Sequence, residues 1–139
     1  MRLDRNKAVL VVIDVQKKLM PVIDRAKEVT HNIERLVRGC HLLGVPAIVT
    51  EQYVRGLGAT VDSLRDALEE SGGYRPIEKS CFSAHGCDLF SAQLSALERT
   101  QVILAGVETH VCVYQTALDL VGAGMSVTIV ADAVSSRTA

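Results

Sequence analysis

Hydrophobic residues along this chain alternate between short unbroken runs and longer stripes at helical spacing. Residues 7–13 form a β-branched run, apolar on both faces, as a central strand of a parallel sheet requires. The run ends in Asp14, Val15 and Gln16. Val29, Ile33, Leu36, Val37, Cys40 and Leu43 then share one helical stripe, with Gly44 as its stop. Pro46 opens a second strand at 47–49, which runs into Thr50, Glu51, Gln52 and Tyr53. A glycine-bearing loop at 54–60 leads to a short acidic helix ending near Glu70, and Ser71, Gly72 and Gly73 make a turn. Residues 74–77 predict a weak third strand leading to Glu78, Lys79 and Ser80. A helix follows over 88–98, with Phe90, Leu94 and Leu97 on one side. Residues 102–105 predict a fourth strand that breaks at Gly106. After Thr109 a helical pattern resumes through Val113, Ala117, Leu118, Leu120 and Val121, and Gly122 to Gly124 end it. A fifth strand at 126–131 precedes Asp132 and a short polar end.

Strands alternating with helices predict β-α-β units, hence a three-layer α/β/α fold with a parallel, Rossmann-like sheet. Without linker, repeat or low-complexity segment, residues 1–139 read as one domain. Open sheets of this kind bind ligands beyond the carboxyl ends of their strands. Those ends carry Asp14, then Glu51 and Gln52, then Lys79, and the fourth strand leads to Cys112. An acid, a base and a thiol are therefore expected on one rim.

Composition narrows the partners. Hydrophobic residues make up 48% and charged residues 22%, which argues against disorder. A net charge of −1 offers no pull toward nucleic acid or an anionic membrane. Aromatic residues, at 4% without tryptophan, are too few for a surface that stacks single-stranded bases. No apolar run is long enough to span a bilayer, and the run after the first basic residues is too short for a signal peptide, so a cytoplasmic protein is expected. Cys40, Cys81, Cys87 and Cys112 do not resemble a disulfide framework in a chain this rich in core residues.

Taken singly, the rim residues are ordinary: Asp14 as a turn residue, Lys79 as a solvated strand end, Cys112 as a small core hydrophobe. Together they describe a nucleophile with its support. A thiol at a helix N-terminus meets free N–H groups and a positive dipole end, and is expected to ionise more readily than a free cysteine. Asp14 supplies a proton acceptor and Lys79 a cation that balances the charges. The turn from Gly106 to Val111 is able to point backbone N–H groups at a developing oxyanion.

The motifs VVIDVQ around Asp14, EKSCFSA around Lys79 and GVETHVCVYQTALDL around Cys112 resemble, in order, those of the isochorismatase-like cysteine hydrolases, which include nicotinamidases and N-carbamoylsarcosine amidase. The resemblance implies a catalytic triad of Asp14, Lys79 and Cys112. It also implies a cis peptide between Val107 and Glu108, with the N–H groups of Glu108 and Cys112 facing the oxyanion. Nicotinamidases of the family hold a metal with one aspartate and two histidines after the second strand. Here that stretch, residues 50–58, has no histidine, so no metal and no other cofactor is expected. TEQY followed by a glycine-rich loop is closer to the branch of uncharacterised isochorismatase-domain hydrolases. Family members continue into a further helix and a sixth strand, so a C-terminal strand and helix are expected to be missing from these residues. Isochorismatase itself cleaves a vinyl ether and does not need the cysteine, so Cys112 tilts the expectation toward an amide-like substrate. A noncatalytic scaffold or a thiol redox sensor on the same fold is the alternative. A small-molecule substrate and a homo-oligomer are the expected partners, with no nucleic acid and no membrane.

Other residues carry weaker signals. Gln52 and Tyr53 are candidates for substrate contact from the second strand end, and His110 for lining the pocket or the turn. The spacing of Cys81, His85 and Cys87 hints at zinc, but no second pair of ligands follows. Gly56 and Gly58 fit backbone turns and lack a phosphate-loop pattern.

Overall fold

The six residues of β1 (Ala8–Ile13) are all buried, because this strand has neighbours on both edges and helices over both faces. β2 (Ala47–Gln52) pairs with it on one side and β4 (Gln101–Val107) on the other, both parallel. β3 (Ile77–Lys79) and β5 (Ser126–Ser135) complete a five-stranded parallel sheet in the order β3-β2-β1-β4-β5. The computed structural model describes residues 2–138.

Alternation along β1 sorts the core into two halves. Ala8, Leu10 and Val12 pack with α1 (Ala26–Leu42) and α3 (Asp62–Glu70), through residues such as Val29, Ile33 and Leu64. Val9, Val11 and Ile13 pack with α4 (Asp88–Leu97) and α5 (Tyr114–Gly122), through Phe90, Leu94 and Leu120. This is the three-layer α/β/α arrangement that the strand–helix alternation predicts. Among the described residues no helix is long and apolar enough to cross a membrane.

Several boundaries differ from the pattern of the sequence. The third strand is Ile77–Lys79 and excludes Tyr74, whose hydroxyl instead donates to the buried Glu51 carboxylate. Its register pairs Gln52 with Lys79. Residues 54–57 are not loop but a single helical turn, α2 (Val54–Leu57). β4 passes through Gly106 and stops at Val107, because glycine accepts the φ of +123° found there. β5 runs past Asp132 to Ser135 by way of an irregularity: Leu104 pairs with Ile129, yet Gly106 pairs with Val134.

The order of strands reverses at β1. The chain moves from β1 outward to β2 and β3, then returns to place β4 on the other side. The crevice beyond the carboxyl ends of β1 and β4 is therefore the switch point where such sheets bind ligands.

Candidate active site

Asp14 leaves β1 in a left-handed conformation, φ +54°, with its amide donating to Thr50 O at 3.2 Å. Aspartate tolerates this region better than most residues, and the bend turns the carboxylate back over the strand ends. Its Oδ1 accepts from the Thr50 hydroxyl at 2.8 Å. Its Oδ2 lies 2.9 Å from Lys79 Nζ, and the two side chains are 1% and 0% exposed. A pair this deeply buried survives only when its charges offset one another and the remaining polar atoms are met. Lys79 satisfies that condition by donating to Gln52 Oε1 at 2.7 Å and to the carbonyls of Cys81 and Phe82 at 2.9 Å each.

Cys112 approaches the pair from the β4 side. After the cis peptide between Val107 and Glu108, residues Thr109–Val113 form a π-helical turn that leads directly into α5. The Glu108 carbonyl accepts from the amides of Val111 and Val113, at 3.1 and 3.2 Å. Cys112 thus sits within the wide turn before α5, buried, and not at the first residue of a regular helix.

The thiol departs from its expected behaviour. Its pKa is pushed up to about 12, first by burial and then by the charge of Asp14, and Lys79 pulls only partly the other way. The expected ease of ionisation is therefore corrected. Loss of water around the sulfur and a neighbouring carboxylate outweigh the cation. Transfer of the thiol proton to Asp14 removes the carboxylate's repulsion and keeps the total charge of the Asp14, Lys79 and Cys112 cluster, while the cost of burying the thiolate remains.

Gln16, Thr60, Tyr74 and Thr116, whose roles sequence reasoning missed, hold these strand ends together with Glu51. Gln16 Nε2 donates to the carbonyls of Gln52 and Gly58 at 2.9 and 2.7 Å, and its Oε1 accepts from the Gln52 amide at 2.7 Å. Glu51 Oε2 accepts from the amide and hydroxyl of Thr60, at 2.8 and 2.7 Å, and from Tyr74. Burial, then Glu51, push the Tyr74 hydroxyl's pKa up. The buried hydroxyl of Thr116 on α5 accepts from the Ala84 amide at 2.9 Å, which ties the loop after β3 to α5. No local signal marks Gln16 or Thr116, because their partners lie 32 to 42 residues away.

The three weaker candidates go to different places. The Gln52 side chain is committed to Lys79 Nζ and, through its Nε2, to Ser80 O at 3.1 Å. Tyr53 is exposed, with φ +42°, and lines a cleft of about 690 Å³ with Gln52, Glu78 and Phe82. His110 Nδ1 meets Ser136 Oγ at 2.8 Å beside a separate cavity of about 420 Å³. Cys81, His85 and Cys87 turn to Gly86 O, to Ser91 and to Glu78 O. Among the described residues no three such side chains are grouped to hold a metal ion.

The family model described as the isochorismatase domain matches residues 8–139. This chain belongs to the isochorismatase family. It is 42% identical over 137 residues to isochorismatase domain-containing protein 2 of Danio rerio, covering 99% of this chain and 67% of that protein. Its fold superimposes with a TM-score of 0.89 on the MAR1 ribonuclease of Caenorhabditis elegans, at 38% identity, over 99% of this chain and 69% of the other. The YcaC gene product of Escherichia coli, described as an octameric hydrolase of unknown specificity, gives a TM-score of 0.89 at 26% identity, covering 99% of this chain and 68% of its own. The chain spans about two thirds of each of these proteins. The fold is accordingly that of isochorismatase-family hydrolases.

Proposed function

We propose that this isochorismatase-family domain is a cysteine hydrolase that cleaves a small amide-like substrate through a thioester. The observation that carries the reading is the charge-balanced cluster of Asp14, Lys79 and Cys112 at the switch point of the sheet. Asp14 takes the Cys112 proton, and the thiolate attacks the substrate carbonyl carbon. The N–H groups of Glu108 and Cys112 receive the oxyanion. The tetrahedral adduct collapses, the C–N bond breaks, and the leaving amine departs with the proton held by Asp14. Water then attacks the thioester with Asp14 as base, which releases the acid and returns the proton to Cys112.

Vinyl-ether hydrolysis by Asp14 is the rival reading, since it has no use for the thiol. The ribonuclease name of the worm neighbour finds less support here, because a net charge of −1 is a poor match to a phosphate backbone. The octameric neighbour and the exposed side chains of Tyr114, Leu118 and Val121 along α5 support a homo-oligomer. The few cysteines, without a disulfide pattern, support a cytoplasmic setting.

The test is a screen of small amides with ammonia release as the readout, run in parallel on Cys112→Ala. Hydrolysis by the native protein and none by a folded Cys112→Ala variant supports the covalent route. A folded variant that still turns over substrate would shift the assignment to acid catalysis by Asp14.

A further inference from the structure

We propose that Gln52 is a positioning residue that keeps Asp14 Oδ2 open to the Cys112 proton by taking one of the three ammonium hydrogens of Lys79. The inference rests on the cysteine-hydrolase reading and assigns Gln52 a role other than substrate contact.

The count of hydrogens carries the argument. A lysine ammonium has three N–H donors and no acceptor. Four oxygens surround Lys79 Nζ: Gln52 Oε1 at 2.7 Å, the Cys81 and Phe82 carbonyls at 2.9 Å, and Asp14 Oδ2 at 2.9 Å. The first three receive hydrogen bonds, and Asp14 Oδ2 receives none from any described residue although it is buried. The other oxygen of the same carboxylate is occupied by the Thr50 hydroxyl. The geometry at Lys79 thus favours the other three oxygens, and Asp14 Oδ2 faces the ammonium chiefly as a charge at 2.9 Å.

Two of the three competing oxygens are backbone carbonyls and only Gln52 is a side chain. Gln52 is itself held at both ends. Its Nε2 donates to Ser80 O, and its backbone is clasped by Gln16 through two bonds, at 2.7 and 2.9 Å. Parallel pairing of Gln52 with Lys79 sets the two side chains beside each other. If the Gln52 oxygen is withdrawn, one lysine hydrogen is released 2.9 Å from Asp14 Oδ2. A hydrogen bond there stabilises the charged carboxylate and makes it a poorer acceptor for the thiol proton.

The experiment needs no substrate. Iodoacetamide labelling of Cys112 near neutral pH, followed site by site by mass spectrometry, reads the fraction of molecules in which the proton has moved from sulfur to Asp14. Gln52→Met removes the acceptor at similar volume and is expected to slow labelling about tenfold, the equivalent of one unit in proton affinity. Should the methionine variant not fold, Gln52→Asn withdraws the amide by one methylene and is expected to slow labelling in the same way. Folded Gln52→Met or Gln52→Asn protein labelled at the native rate overturns the proposal. Asp14→Asn, followed over the whole pH range, separates this failure from that of the underlying reading: the variant is expected to lose the neutral-pH component of labelling and to gain an earlier rise as the thiol itself ionises, and a profile identical to the native one removes the aspartate–cysteine pair itself. Once an amide substrate is found, a positioning role lowers kcat with KM unchanged, whereas substrate contact raises KM.

Discussion

Asp14 Oδ2 and Lys79 Nζ stand 2.9 Å apart beneath the rim of the sheet, and the two residues depend on each other unequally. Lys79 keeps three other oxygens if the carboxylate is lost. Among the described residues, the Asp14 carboxylate keeps the Thr50 hydroxyl and the neighbouring Cys112 thiol if the ammonium is lost. Removing the cation therefore leaves a buried charge with little support, and removing the anion leaves a cation that is still hydrogen-bonded.

Lys79→Met is accordingly expected to destabilise the domain by about 3–5 kcal/mol, the usual cost of stranding one member of a buried pair. Asp14→Asn is expected to cost distinctly less. The double variant should recover part of the Lys79→Met loss, since no charge is then stranded, with a coupling on the order of 0.5–3 kcal/mol. Urea midpoints of the four proteins close the cycle. Strict additivity would show that the ion pair contributes nothing to the fold.

Asp14→Asn has a second, opposite signature at the thiol. The carboxylate charge holds the Cys112 pKa up, so the variant is expected to titrate below the native value of about 12, while hydrolysis is lost with the base. Ultraviolet absorbance of the thiolate, with Cys112→Ala as the blank, follows both proteins through the alkaline range. A thiol that titrates at the same pH in both would place its raised value on burial alone.

The same shift makes stability depend on pH. The ordinary thiol value is 9.0 and the folded value about 12, so between them the unfolded chain has released a proton that the folded one retains. Stability from Cys112 is full below pH 9.0 and declines as pH rises toward 12, by up to about 1.4 kcal/mol per unit. Burial raises Cys40 in the same direction. Cys112→Ala is expected to flatten the decline, read as urea midpoints at stepped pH, and a slope unchanged by the substitution would refute the linkage.

Gly106 sets how closely β4 can approach the strand that carries Asp14. A Cβ at Gly106 would lie 2.1 Å from Ile13 O and 2.6 Å from Ile13 N, both backbone atoms, at φ +123°. Gly106→Ala must push apart the strand ends that position Asp14 and the turn before Cys112. A loss above about 4 kcal/mol, or no folded protein, is expected. Gly39, within α1, is the contrast: a Cβ there meets nothing within 4 Å, so Gly39→Ala is expected to stabilise by about 0.5–1 kcal/mol. Thermal melts of both variants test the pair of expectations.

What the sequence determined by itself was the order of elements and the rim on which Asp14 and Lys79 meet. Those properties follow from local periodicity: the apolar run of β1, the stripe of α1, and the rule that ligand-side residues follow parallel strands. The local pattern of residues 74–77 predicts strand at Tyr74, but its place is set by a buried carboxylate 23 residues away. The passage of β4 through Gly106 was likewise invisible, since it depends on how near Ile13 comes. Tertiary structure alone decided which oxygens share the Lys79 hydrogens, and hence that Gln52 serves the lysine. It also decided the sign of the Cys112 shift. A helix terminus is a local feature that favours the thiolate, whereas burial and the charge of Asp14 come from residues brought together only by folding, and these win.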